Sequence, residues 1–308
     1  MKCPFHGSLV ALPTPFRQGE VDFSALRNLI EWHVEHKSDG VVIAGTSGES
    51  ATLSDYERRS VIHAAVESAR KRIPVIAGVG TNDTRQSVDF ARFAADAHAD
   101  GLLAVAPYYN KPTPRGLVAH YGAVAEATAL PLILYNVPSR TCTDLQPETI
   151  AECRARFANI VAIKEASGSI GRARQIQAVS DIALIAGEDS LIAEFMGLGG
   201  VGVIGVVANI APAQVAELCR AARPGGNVVR AAELVAWLQP LIRDLFIETN
   251  PVPMKAALAA MKLCSADVRL PLVGLEREHQ EQLMVTLHEA NLLRVERATP
   301  GGPGGRGS

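Results

Sequence analysis

At 308 residues, 48% of them apolar, the chain is long enough to build one large α/β barrel or two smaller domains around a substantial core. A formal net charge of −2 gives no electrostatic footprint for nucleic acid or an anionic membrane, and an aromatic content of 5% argues against a base-stacking platform. Cys3, Cys142, Cys153, Cys219 and Cys264 stand singly with no C-x-x-C pair, which disfavours a zinc knuckle or a thioredoxin-type site and fits reduced thiols.

The start, Met1-Lys-Cys-Pro-Phe-His-Gly7, lacks the apolar core of a signal peptide. The most apolar segment, residues 197–213, is glycine-rich and short for a membrane span, so the expectation is a soluble cytoplasmic protein. Strands are predicted at residues 9–12, 41–44, 75–77, 102–106, 132–135, 160–164, 183–186 and 201–204. Several are apolar at successive positions, as parallel strands covered on both faces must be. Between them run helices with readable starts. Asp22 or Ser24 can cap a helix running through Trp32, and Ser54-Asp-Tyr-Glu57 is a capping box opening one that runs to about Arg70. Thr84 is the expected cap of a helix through Phe93, and Pro147 fits the first turn of the helix containing Ile150.

A strand-helix unit repeated about eight times predicts an α/β fold, a (β/α)8 TIM barrel, over residues 1–210. A doubly wound open sheet has the same periodicity and stays open as the rival at this point. The helical patterns of residues 211–295 exceed one closing helix and predict a C-terminal helical extension. The Pro/Gly-rich residues 296–308 are expected to be a disordered tail.

Reactive side chains fall after the carboxyl ends of these strands, the face where barrel active sites form. Lys164 closes the run Ile160-Val-Ala-Ile-Lys-Glu-Ala166, a cation at the end of a buried strand. Apolar surroundings strip hydration from a lysine's charged form, and a neutral amine attacks carbonyl carbon to give a Schiff base. An ordinary strand-end lysine paired with Glu165 is the alternative. Gly45-Thr-Ser-Gly-Glu49 is a tight turn able to present backbone N–H groups to a small carboxylate. Pro107-Tyr-Tyr-Asn110 and Tyr135-Asn-Val-Pro-Ser-Arg-Thr141 follow the fourth and fifth strands. Tyr135, Tyr109 and the Ser47 hydroxyl would supply the proton relay that imine chemistry needs, and Arg140 offers a planar fork for a carboxylate.

Other features are set aside. Gly197-Leu-Gly-Gly-Val-Gly202 and Gly200-Val-Gly-Val-Ile-Gly205 match G-x-G-x-x-G, but they lead into a strand instead of following one, which argues against a nicotinamide site. His33 and His36 lack an evident third metal ligand and are expected at exposed helix positions. Arg58 and Arg59 are expected on a solvated helix face.

In their order along the chain, Gly45-Thr-Ser-Gly-Glu-Ser-Ala-Thr-Leu53, Pro107–Asn110, Tyr135–Thr141, Ile163-Lys-Glu-Ala166 and Asn250-Pro-Val-Pro-Met-Lys255 closely resemble the dihydrodipicolinate synthase family, pyruvate-dependent class I aldolases that include N-acetylneuraminate lyase. The resemblance covers roughly residues 7–293. It implies a lyase that condenses pyruvate with aspartate semialdehyde, the committed step toward diaminopimelate and lysine, with no metal or organic cofactor. It also implies roles: Lys164 for the Schiff base, Tyr135 as acid-base residue, Ser47 and Tyr109 in the relay, Tyr109 lent across a subunit interface. Thr46 and Ser47 would hold the pyruvate carboxylate and Arg140 that of the semialdehyde, while Gly187 and Ile204 supply backbone carbonyls. The implied assembly is at least a dimer, commonly a dimer of dimers. A retro-aldol lyase or dehydratase on a sugar-derived 2-keto acid is the nearest rival, and Arg140 argues against it. Thr46-Ser47 stands where the family has two threonines, Gly205 where serine is common, and Cys142 where glycine or asparagine is frequent; no chemical group the mechanism needs is lost.

The resemblance further places Ser50, Ala51, Asn82 and Tyr108 at positions that contact a lysine inhibitor. Asp55 and Arg58 replace two histidines, and Gln86 replaces a glutamate that would hold the inhibitor's ammonium. Losing a charge-assisted contact of about 1.5–3 kcal/mol costs about tenfold or more in affinity. Inhibition by free lysine should therefore be weak or absent; titrating lysine against activity checks this, and a submillimolar inhibition constant would refute it.

Overall fold

Eight parallel strands close into a barrel in a computed structural model that describes residues 1–293. They are β1 (Gly7–Ala11), β2 (Gly40–Ile43), β3 (Val75–Gly78), β4 (Gly101–Val105), β5 (Leu132–Asn136), β6 (Ile160–Glu165), β7 (Ala183–Ala186) and β8 (Gly202–Gly205). Each pairs with its sequence neighbours, and β1 closes the ring against β8 with Gly7 opposite Gly202 and Val10 opposite Gly205. Ring closure excludes the open doubly wound sheet. The expected tail, residues 296–308, lies outside the described residues.

Successive strand residues serve two different cores. Leu9, Val42, Ile76, Leu103, Ile133, Ile185 and Ile204 form the barrel interior, with Phe5 among them. Val10, Val41, Ile43, Leu102, Leu134, Ile163 and Val203 join the larger cluster beneath the helices. Both faces are buried, which is why these strands read as continuous apolar runs. At the seam there is no space for a side chain: a Cβ on Gly202 would come within 2.3 Å of the Gly7 carbonyl oxygen.

One principal helix follows each strand: α1 (Phe23–Glu35), α2 (Asp55–Ala69), α3 (Thr84–Asp96), α4 (Pro114–Glu126), α5 (Pro147–Arg156), α6 (Ile170–Val179), α7 (Ile192–Gly197) and α8 (Pro212–Ala222). The capping box of α2 forms as expected, the Glu57 N–H donating to Ser54 Oγ at 3.2 Å and the Ser54 N–H to Glu57 Oε2 at 2.8 Å. Asp22, not Ser24, caps α1, its Oδ1 accepting from the Ala25 N–H. The cap of α3 is Asp83 instead of Thr84: its carboxylate accepts from the Arg85 N–H at 2.9 Å, while the Thr84 hydroxyl meets His120 Nδ1 at 3.0 Å.

Three more helices, α9 (Val228–Leu245), α10 (Val252–Ala260) and α11 (Arg277–Glu289), pack on one another and on α8. α9 also lies against the turns that follow β7 and β8, and α10 against the turn after β8, so this layer sits beside the carboxyl-terminal mouth of the barrel. Among the described residues no helix is long and apolar enough to cross a membrane.

Two expectations for polar residues need correction. Arg58 is buried, not solvated: its guanidinium donates to the Gly78 carbonyl at 2.6 Å and stacks 4.2 Å from the Phe90 ring. Helix α2 packs against the barrel there, and an arginine can span that contact because its planar face covers an aromatic ring while its edge bonds carbonyls. Arg59, half-buried, lies over Phe93. His33 is fully buried on the inner side of α1, with Nδ1 3.0 Å from Ser38 Oγ.

Burial of His33 lowers its pKa from 6.5 to about 3, and burial of His120 lowers that residue to about 4. Below pH 6.5 the unfolded chain takes up protons that these rings refuse in the fold, so stability is full above that pH and falls through the window below it. Urea denaturation at pH 7 and pH 5 should differ by about 2 kcal/mol per buried ring, and His33→Gln should flatten that slope.

Candidate active site

Strands β5 and β6 set the two central side chains beside each other, because Tyr135 and Lys164 are register partners. Lys164 is 7% exposed, and its Nζ lies 4.2 Å from the centre of the Tyr135 ring. The next residue on β6, Glu165, points to the other face. There its carboxylate accepts from the Ser167 N–H at 2.7 Å and from Asn136 Nδ2 at 3.0 Å. The ordinary alternative, a Lys164–Glu165 ion pair, is therefore excluded by strand alternation.

Both side chains line a cavity of about 200 Å³ at the carboxyl-terminal mouth. Thr46 and Ser47, from the turn after β2, form another part of its wall, with Gly187 after β7 and Ile204 on β8. Arg140 reaches it from the one-turn helix Pro138–Thr141 that follows β5. Of the expected catalytic and substrate-binding residues, only Tyr109 lies away from this cavity. It is 88% exposed, in a left-handed conformation at φ 72°, on the loop between β4 and α4. Among the described residues no cluster of three or more His, Cys, Asp or Glu could hold a metal ion.

The turn carrying Thr46 and Ser47 is pinned at several points. Gly48 O accepts from the Thr14 hydroxyl at 2.7 Å, and Ser47 Oγ accepts from Asn250 Nδ2 at 2.9 Å. The Asn250 carbonyl also accepts from Arg140 at 3.4 Å. Glu49, left-handed at φ 52°, turns its carboxylate inward. There Oε1 accepts from Lys255 Nζ at 2.5 Å and Oε2 from the Arg269 N–H at 3.0 Å. The two charged side chains are 0% and 1% exposed. Burial lowers the Lys255 pKa and the Glu49 carboxylate opposes that fall. Phe16 sits beneath, 4.2 Å from Lys255 Nζ and 4.3 Å from the Arg269 guanidinium.

A second cavity of about 310 Å³ adjoins the first and shares Thr46, Arg140 and Asn250 with it. Three of the candidate regulatory residues, Ser50, Ala51 and Tyr108, line it, together with Arg58. Asn82 and Gln86 do not; Gln86 Nε2 donates to Asp55 at 3.0 Å, and the Asn82 carbonyl accepts from Asn110.

Asn250, Glu49, Lys255 and Glu188 carry no role that spacing or periodicity assigns. Asn250 and Lys255 lie in the segment Asn250-Pro-Val-Pro-Met-Lys255, but periodicity has no means of pairing them with residues about two hundred positions earlier. Glu188 carries no sequence signal beyond following Gly187.

A parallel barrel with a buried lysine beside a tyrosine at its carboxyl-terminal mouth is the architecture of imine-forming class I aldolases. Residues 4–290 match the model of the Dihydrodipicolinate synthetase family, and the chain belongs to that family. It is 48% identical over 292 residues to the 4-hydroxy-tetrahydrodipicolinate synthase of Alcanivorax borkumensis, with 94% of this chain and 99% of that one covered. It is 46% identical over 291 residues to the enzyme of the same name from Syntrophus aciditrophicus, at 94% and 99% coverage. The dihydrodipicolinate synthase structure from Aquifex aeolicus superposes with a TM-score of 0.92 at 44% identity, over 94% of this chain and 99% of that one. The chloride-inhibited Acinetobacter baumannii enzyme, solved with pyruvate, gives 0.90 at 43% identity, over 94% and 100%.

Lys255→Met leaves the Glu49 carboxylate buried without its cation, and removing one partner of such a pair costs about 3–5 kcal/mol. Thermal unfolding of that variant should show the loss as a markedly lower melting temperature, and the double variant Glu49→Leu/Lys255→Met should recover much of it.

Proposed function

We propose that this chain condenses pyruvate with aspartate semialdehyde to give 4-hydroxy-tetrahydrodipicolinate, the first committed step toward diaminopimelate and lysine. The observation that carries the reading is the Lys164 amine, 7% exposed and seated on the Tyr135 ring in a cavity that Arg140 also lines. The amine attacks the keto carbon of pyruvate, and water leaves as the imine forms. The protonated imine is an electron sink, so a methyl proton departs and the resulting enamine carbon attacks the aldehyde, whose oxygen takes up a proton as the imine is restored. The substrate's own amine, once deprotonated, then attacks the imine carbon, closing the ring and expelling the Lys164 amine. Tyr135 moves the protons at Lys164, relayed through Ser47 and a Tyr109 lent by a second copy of the chain. Exposure of Tyr109 away from its own cavity supports that sharing, and with it an assembly of at least a dimer, in this family commonly a dimer of dimers.

Thr46 and Ser47 receive the pyruvate carboxylate, Arg140 that of the semialdehyde, and Gly187 and Ile204 offer backbone carbonyls to the bound substrates. Ser50, Ala51 and Tyr108 form the wall of a weak regulatory pocket, with Asn82 and Gln86 outside it. The reaction needs no resident metal or organic cofactor, since the lysine itself polarises the substrate, and its place is the cytoplasm. Nothing in the site favours a lyase acting on a sugar-derived 2-keto acid.

Borohydride added with pyruvate should fix a stable adduct on Lys164, mapped by mass spectrometry; modification elsewhere would overturn the assignment. Tyr135→Phe should lower kcat by about a hundredfold or more, and Lys164→Ala should abolish both adduct and turnover.

A further inference from the structure

Val161 and Ala162 are consecutive residues of β6, yet both belong to the barrel interior, while Ile160 and Ile163 on either side lie beneath the helices. Side chains of a regular strand alternate, so the phase changes at this point. The ladder with β5 shows the same step. Leu132 stands opposite Ile160, but the next residue, Ile133, stands opposite Ala162. Val161 is the extra residue of a β-bulge, a feature that re-aims the side chains beyond it.

Those side chains are the chemical ones. Continued without the step, the ladder would set Ile163 opposite Tyr135, turn Lys164 outward under the helices and point Glu165 into the cavity. The bulge reverses both, so that Lys164 faces Tyr135 inside the barrel and Glu165 faces Asn136 on the rung outside it.

The outer rung is closed by side chains. Asn136 is 0% exposed and uses its whole amide: Nδ2 donates to Glu165 Oε2 and to Asp144 Oδ1, each at 3.0 Å, and Oδ1 accepts from the Leu145 N–H at 2.9 Å. Glu165, 2% exposed, accepts at its other oxygen from the Ser167 N–H at 2.7 Å. Arg172 fixes the far end, donating to Asp144 at 2.6 Å and to the Leu145 carbonyl at 3.0 Å. This network is satisfied only in the shifted register; one place back, Asn136 would face Lys164 and Glu165 would leave its donors.

We propose that Asn136 and Glu165 are positioning residues: their hydrogen bond across β5 and β6 holds the bulged register, and with it the seating of the Lys164 amine against Tyr135 that imine formation needs. This role rests on the imine chemistry proposed above, and neither side chain lines the cavity.

The rate at which pyruvate becomes trappable on Lys164, sampled by borohydride quench and mass spectrometry, tests the role. Glu165→Met should slow that rate by about a hundredfold, the scale of a small misplacement of a reacting group, while the final adduct still reaches one per chain. Glu165→Gln, which keeps one accepting oxygen, should lose about tenfold with its pH–rate profile unmoved. Asn136→Ser should also slow trapping, and combined with Glu165→Met it should add nothing, because both remove one link. Should Glu165→Met not fold, Glu165→Gln and Asn136→Ser decide alone. Wild-type rates in these variants, or additive losses in the pair, would overturn the role. So would less adduct at an unchanged rate per site, which marks plain destabilisation, or a displaced pH profile, which marks a charge effect. Wild-type protein that traps no pyruvate on Lys164 would instead overturn the proposed reaction itself.

Discussion

The ion pair between Glu49 and Lys255 joins positions 206 residues apart, and the active-site mouth is built around it. Two charges removed from water are tolerated only where each meets several partners in good geometry. Here the ammonium meets the Glu49 carboxylate, the Asp267 carbonyl and the face of Phe16, and the carboxylate takes a backbone N–H besides. The pair fixes the C-terminal layer to the turn after β2, two residues from Ser47. The extension is therefore part of the catalytic face rather than an appendage. Without it Asn250 would have no position from which to hold Ser47 and accept from Arg140.

Strand alternation divides the remaining work. On β6 the inward residue is Lys164 and the outward one Glu165, and a shift of one position would exchange them. The inward lysine meets an apolar barrel interior and a tyrosine ring, and the outward glutamate meets amide donors beneath the helices. Two adjacent ionisable residues of opposite sign thus remain chemically separate.

The barrel was legible because its strands are apolar on both faces and its helices carry strong start signals, of which Ser54–Glu57 is the clearest. The residues that line the cavity were legible as well, since Lys164, Tyr135, Thr46, Ser47 and Arg140 all follow or end strands on one face. What escaped was long-range pairing. Glu49 reads as a loop acid and Lys255 as a helix lysine until the fold sets them together. His33 and Arg58 were misplaced because a polar residue on an amphipathic helix reads as exposed unless its partners, Ser38 and the carbonyls of Gly78 and Gly80, are known. Thr84 lost the cap to its neighbour because two capping residue types stood in succession.

The seam between β1 and β8 has a consequence for synthesis. The first strand emerges early, yet its partner along one edge arrives only with residues 202–205. Until then β1 offers a bare row of backbone donors and acceptors, the feature that promotes intermolecular strand addition. The nascent chain is most vulnerable to misassembly over that interval, and once the last strand docks the ring has no free border left.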